Sequence, residues 1–287
     1  MALLIIMEGL IRSIPNDYSY KKDYLDKYSD SVNVLLLGNS HTYYGIIPSL
    51  MQGKVFNASH SSQTLYCDKA IMEKYESNWK SLKYIVLSLD YNSLVANSSK
   101  DIYKRARIGY NLYYGINVST NLFDYFEFTN QSPVKSVERI KNYYLLGNSE
   151  ITCTPYGFRY IPRKQRSLSS TGVKYAAQHT KTDFDAVQTN KQNLKSIIDF
   201  ASKNNVNVLL YSAPAYKTYV KMIDSTQLSI IIEEGKQLSQ EFTNVKYVNF
   251  LNDTSFVEYD YFDANHLNKS GAIKLTKRIN CLLNSDW

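Results

Sequence analysis

Val34-Leu35-Leu36-Leu37-Gly38-Asn39-Ser40-His41 is the stretch on which the reading of this chain turns. An apolar run without polar alternation marks a strand buried on both faces, as at the centre of a parallel sheet. Gly38 ends the run, and Ser40 follows where strand gives way to loop. A serine becomes a nucleophile only beside a base, and the base needs a partner that fixes its tautomer. Both are offered near the other end of the chain, in Asp263-Ala264-Asn265-His266-Leu267-Asn268. Ser40 as nucleophile, His266 as general base and Asp263 as the orienting acid supply all three roles. Asp260, upstream on the same loop, is the alternative acid. The wide separation in sequence is no obstacle, because such a triad is defined by geometry. Thr42 stands where a Gly-x-Ser-x-Gly elbow requires its second glycine, which argues against an α/β-hydrolase.

Outward from residue 34, apolar runs and helical periodicities alternate at βαβ spacing, which predicts an α/β protein with a parallel sheet. Strands are expected at 33–38, 55–57, 83–89, 206–211 and about 246–250, with helices at about 64–75, 186–203, 225–241 and 270–283. The 186–203 helix is the most legible, with Val187, Leu194, Ile197, Ile198 and Ala201 on one face. Residues 98–182 break the pattern. They are rich in Tyr, Asn, Ser and Arg, too long for a simple connection, and are expected to hold helices near 101–113 and 133–146. An insertion after the third strand would lie at the carboxyl edge of the sheet, where α/β sites form, and could act there as a lid or substrate platform.

At 287 residues and 44% hydrophobic, the chain can bury a full core in one such domain with its insertion. The net charge of +7 raises polyanionic partners. The cations are scattered, however, and no nucleic-acid motif is present, so nucleic acid is not expected. The densest cluster, Arg159, Arg163, Lys164 and Arg166, reads first as a solvated loop and second as an anionic-glycan or membrane-surface contact. Cys67, Cys153 and Cys281 lack metal-ligand spacing, and Cys67 and Cys281 sit in apolar periodic segments where buried thiols are common. No cofactor or metal is expected.

Four motifs in order resemble the SGNH hydrolases, the GDSL-like lipases and esterases. Gly38-Asn39-Ser40 stands for the strand-borne Gly-Asp-Ser. Asn57-Ala58-Ser59-His60-Ser61-Ser62-Gln63-Thr64 stands for the second motif, with Ser62 at its glycine. Leu89-Asp90-Tyr91-Asn92 follows the third strand and keeps only the asparagine of Gly-x-Asn-Asp. Asp263 to His266 matches the closing Asp-x-x-His. The resemblance implies a flavodoxin-like three-layer α/β/α sandwich. It also implies an oxyanion hole from the Ser40 and Ser62 amides and the Asn92 side chain, with Asn39 structural. His41, His60 and Tyr91, beside these positions, are candidate walls of the substrate pocket.

The activity implied is acyl transfer through a serine ester, as an esterase or an O-acyltransferase. The polar, Tyr-rich insertion favours O-acetyl groups on carbohydrate. A lipase or thioesterase, or a catalytically silent carbohydrate-binding or assembly protein of the same fold, is the alternative. Residues 1–30 begin with the apolar run Met1 to Met7 and continue into a stretch that looks like the juxtamembrane part of membrane-anchored members. Too short to span a bilayer, this run is expected to be the end of a truncated anchor, which would place the enzyme at the extracytoplasmic face of a bacterial membrane.

Overall fold

The computed structural model describes residues 2–161 and 164–285, so Arg163 of the basic cluster lies outside the described residues. In chain order the regular elements are α1 (Ala2–Arg12), α2 (Asp17–Tyr28), β1 (Val34–Leu37), α3 (Ser40–Gly45), β2 (Val55–Asn57), α4 (Leu65–Lys74), β3 (Tyr84–Ser88), α5 (Lys104–Gly109), α6 (Pro133–Ile140), α7 (Leu168–His179), α8 (Val187–Lys203), β4 (Asn207–Ser212), α9 (Lys217–Val220), α10 (Ser225–Glu241), β5 (Val245–Asn249), β6 (Tyr261–Asp263), β7 (His266–Leu267) and α11 (Lys269–Leu283). β1 to β5 form one parallel sheet in the order β2-β1-β3-β4-β5, the doubly wound order of flavodoxin-like folds.

The uninterrupted apolar character of β1 follows from its two covered faces. Leu35 and Leu37 point into a core shared with Leu25 of α2, Ile71 of α4, Ile197 of α8 and Ile231 of α10. Val34 and Leu36 point the other way, into a core closed by Leu275, Ile279 and Leu283 of α11. These β1 side chains are all within a few per cent of full burial. Truncating one, as in Leu35→Ala, should therefore cost about 2–5 kcal/mol. The strand order reverses between β1 and β3, which opens a crevice at their carboxyl ends. Ser40 leaves β1 and Asn92 follows β3 at that crevice.

The insertion divides its work. Its first helical run, 101–114, passes from a tight turn through α5 into a π-helical turn (Tyr110–Tyr114) and stops at Gly115, whose φ of +63° suits glycine. The run is fused to the body: Tyr110, Tyr114 and Ile116 enter the main core, and a Cβ on Gly109 would come within 2.5 Å of the Tyr18 ring. A second run, 133–145, packs with α1 away from the sheet. Among the described residues of the insertion, those that wall the crevice come from α7, with Ile102, Tyr103 and Lys181. α7 has no counterpart in the sequence reading.

Residues 1–30 are not one detached segment. α2 is capped by Asn16, whose side chain accepts from the amides of Tyr18 and Ser19, and buries Leu25 in the main core. α1 buries Ile11 but exposes its first turns. Among the described residues no helix is long and apolar enough to cross a membrane. Cys281, expected in a buried stripe of the last helix, is exposed instead, while Cys67 is buried; all three thiols are free.

Candidate active site

The turn after β1 is dictated by Gly38. Its φ is +110°, and a Cβ there would fall 2.2 Å from Ser88 Oγ, so a side chain is excluded by both conformation and space. Asn39 then caps α3, accepting from the His41 amide at 2.9 Å, which places Ser40 at the first helical position with its own amide outside the helix ladder. Ser40 Oγ lies 3.0 Å from His266 Nε2. His266 Nδ1 lies 3.0 and 3.2 Å from the two oxygens of Asp263. The acid is aimed by its own loop, accepting from the amides of Asn265 at 3.0 Å and His266 at 2.9 Å. Burial pushes the Asp263 carboxyl up, but the bond and charge of His266 and these two amides hold it below the usual carboxylate range. Buried and charged, it keeps Nδ1 protonated and leaves Nε2 as the acceptor facing the serine.

Around this line lies a cavity of about 310 Å³. Ser62 lines it with φ of +60°, the left-handed region that glycine occupies without strain. A glycine at this motif position is thus explained by backbone, and the serine keeps the same amide direction at some conformational cost. Asn92 lines the cavity too, bonded to the Tyr103 hydroxyl. The loop carrying Ser62 is tied to the Gly38–Ser40 turn by Asp68, which the sequence reading missed. Asp68 Oδ1 accepts from the Gly38 amide at 2.7 Å and from Gln63 Nε2 at 2.6 Å. Burial pushes the Asp68 carboxyl up to about 7 against those two bonds. No local pattern marks Asp68, since a single acid on a helix face is ordinarily solvated.

His41 lies beside the line but does not join it. Its Nδ1 is 2.8 Å from Asp90 Oδ2, and Asn265 adjoins the ring. Burial alone would push His41 down, but the Asp90 charge and these contacts raise it above its usual value. Asp90, despite burial, is held low by His41 and by the Ala213 amide at 2.9 Å. The two side chains thus form a close buried pair in which each favours the charged form of the other, the imidazole 5.4 Å from the His266 ring, centre to centre. The acid that displaces the glycine of the third motif and the histidine that follows Ser40 are thus partners, which neither shows alone.

Among the other sequence candidates, His60 and Tyr91 do not line the cavity. His60 is buried against Tyr18, ring centres 3.9 Å apart, and burial with the nearby Lys21 charge pushes it well down. Tyr91 turns beneath α7 and α10, its hydroxyl bonding Thr180 Oγ1 and the Asp224 amide, each at 2.8 Å. Both are held by packing partners remote in sequence. Asp260 is tied to Lys274 at 2.5 Å and to Ser270 at 3.1 Å, which leaves Asp263 as the acid on His266. His179 of α7, absent from the sequence reading, walls the cavity instead. Its Nδ1 lies 2.9 Å from the Tyr219 hydroxyl, and burial with the charges of His41 and His266 pushes it down to about 3, so it is neutral. Tyr175, Gln178 and Lys181 complete that wall. No group of three or more metal-binding side chains is found among the described residues.

No protein-family model and no curated protein matches the sequence. Solved structures of similar shape do exist. A candidate platelet activating factor from Streptococcus pneumonia aligns over 98% of this chain and 95% of its own, at 12% identity and a TM-score of 0.47. A GDSL-like lipase from Bacteroides thetaiotaomicron aligns over 93% and 99%, at 12% identity and a TM-score of 0.43. A candidate acylhydrolase from Bacteroides fragilis aligns over 90% and 96%, at 11% identity and a TM-score of 0.40.

Proposed function

We propose that this chain is a serine esterase or O-acyltransferase of the SGNH type, acting on O-acetyl groups of carbohydrate. The observation that carries the reading is the unbroken line from Ser40 through His266 to Asp263 at the topological switch point of a doubly wound sheet. In the proposed reaction Ser40 Oγ attacks the ester carbonyl as His266 Nε2 takes its proton. Asp263 holds the imidazole and stabilises the imidazolium. The amides of Ser40 and Ser62 and the Asn92 side chain face the developing oxyanion, where each donor lost would cost about 10²–10³ in rate. His266 then returns its proton to the departing sugar oxygen, and water or a second hydroxyl releases the acyl group from Ser40.

Support for a short acyl group comes from the cavity itself. Its volume stands at the lower end of the range for small-molecule sites, and its walls mix polar groups from Ser61, Gln63, Thr64, Gln178 and Lys181 with the rings of tyrosines 44, 103 and 175. A long acyl chain would need an extended apolar channel, and a sugar ring suits tyrosine faces beside amide and hydroxyl groups. Placement at the outer face of a bacterial membrane belongs to the same reading and is supported by the apolar first turns of α1.

The test is direct. A fluorophosphonate probe should label wild-type protein at Ser40. Acetylated polysaccharide and short p-nitrophenyl esters should be turned over in preference to long-chain esters. Absence of labelling would favour a silent binding protein, and a long-chain preference would favour a lipase.

A further inference from the structure

An exposed apolar surface outside the cavity is built by α1 and the two insertion stretches beside it. Leu3, Leu4, Ile5 and Ile6 are 70, 50, 66 and 56% exposed. Four successive helical residues lie about 100° apart and so sample the whole circumference, which means that no face of this turn rests on the protein. A helix that is apolar all round is at home only when an apolar medium surrounds it.

The far end of α1 is anchored. Glu8 accepts from the amides of Glu127 and Phe128, each at 2.8 Å, and the Tyr144 hydroxyl bonds Leu10 O at 3.1 Å and Ser13 Oγ at 2.7 Å. These contacts set α1 against residues 122–130 and 133–146, where Leu122, Phe123, Val134, Leu145 and Leu146 are 57 to 77% exposed.

Charge on these segments follows the same bias. Asp124 is buried on Arg107 at 2.7 Å, Glu127 is buried between Arg105 and Arg139 at 2.5 and 2.6 Å, and Glu8 is taken up by Arg12 at 2.5 Å. The one acid left exposed and unpaired there, among the described residues, is Glu138, and it stands between exposed Lys135 and Lys141. The ion pairs that knit the segments together also remove carboxylates from their surface.

We infer that α1 and residues 122–146 form a seat for a lipid bilayer, entering the headgroup–acyl boundary with α1 immersed in it. A protein partner covers one side of a helix, whereas lipid closes around it, and the exposure of α1 on every side selects lipid. Aromatic and aliphatic side chains mixed with lysines, with Glu138 as the one bare carboxylate among the described residues, suit an interface that carries some anionic lipid. The seat also has a fixed relation to the cavity. The run 101–114 starts with Ile102 and Tyr103 in the cavity wall and holds Asp124 through Arg107, so the two are joined by little more than one helical turn, roughly 6–8 Å.

The test is co-sedimentation of the full chain with phosphatidylcholine vesicles, with and without added phosphatidylglycerol. Binding to both, stronger with the anionic lipid, is expected. Leu4→Glu with Ile5→Glu, and separately Leu145→Glu with Leu146→Glu, should each lower partitioning by about tenfold or more, since each pair removes several buried methylenes. Lys135→Gln with Lys141→Gln should remove only the gain from phosphatidylglycerol. All six side chains are exposed, and turnover of a soluble ester should be unchanged in every variant, which reports folding and keeps this test separate from that of the esterase reading. No vesicle binding by the wild type would overturn the inference. So would self-association in the absence of lipid that the same glutamates abolish, which would assign the surface to a second copy of the chain.

Discussion

Two histidine–aspartate pairs lie side by side at the mouth of the sheet, and they differ in what the second ring nitrogen meets. In His266–Asp263 the carboxylate holds Nδ1 and Nε2 faces Ser40 Oγ. In His41–Asp90 the carboxylate also holds Nδ1, but the ring stops against Asn265 and reaches no nucleophile. The first pair is suited to moving a proton, because its imidazole can gain and lose one beside a hydroxyl. The second is a resting charge pair that fastens the Ser40 helix to the loop after β3. Similar side chains at similar spacing thus acquire different work from the atom placed beside Nε2.

The largest effect expected is on the first pair. Ser40→Ala should lower esterase turnover by about 10⁴-fold or more without loss of fold, read by ester hydrolysis and circular dichroism. Activity within tenfold of wild type would remove Ser40 from the reaction and dissolve the comparison.

Asp263→Asn should cost about 10³–10⁴-fold, because the amide favours the wrong tautomer. His266→Ala should be similarly damaging, and the double variant should be little worse than the poorer single, as for groups that act as a unit. Full additivity in kcat/KM would show that the two do not work together.

Asn92→Ala should lower kcat by about 10²-fold with little change in KM, the mark of a donor used mainly in the transition state. An unchanged kcat would leave the oxyanion to backbone amides alone.

On the second pair the activity effect should be smallest and the stability effect plain. Asp90→Asn should leave turnover within about tenfold of wild type. It strands a buried imidazolium, however, and should cost about 3–5 kcal/mol in denaturant unfolding. The pH dependence carries a sign. His41 is raised in the fold, so its contribution is complete below its ordinary 6.5 and is lost as pH climbs through the folded value. Asp90 is lowered, so its contribution is complete above 3.8 and is lost as pH falls through the folded value. Thermal melts of wild type against Asp90→Asn should therefore differ most between those limits and converge toward either end. A loss of turnover equal to that of Asp263→Asn would mean that the two pairs are not different in kind.

Much of this was legible in the sequence because it is local. The five sheet strands lie within a residue or two of their expected bounds, and the continuous apolar run of β1 reflects burial on both faces, which leaves no room for alternation. Helical periodicity gave α8 and α10, and the Asn268 cap stands where α11 begins. Ser40, Asp263 and His266 were chosen because strand-end serine and Asp-x-x-His are short motifs with a chemical reason. The exposed Cys281 and the turned-away Tyr91 depart from the sequence reading, and His60 takes the packed rather than the pocket-wall alternative, because a side chain's direction depends on neighbours that no short window contains.

The sequence by itself therefore determined the five strands of the parallel sheet, the helices α4, α8, α10 and α11 between and after them, and the three side chains of the proposed triad. Only the tertiary structure decided that Asp68 joins Gly38 to the Gln63 loop, that Asp90 belongs to His41, that α7 brings His179 to the cavity, and that the first, apolar turns of α1 are left uncovered. Each of these is a meeting of residues far apart in sequence. Such meetings are fixed by how layers pack and charges find partners once the chain has closed on itself, and local pattern holds no record of them.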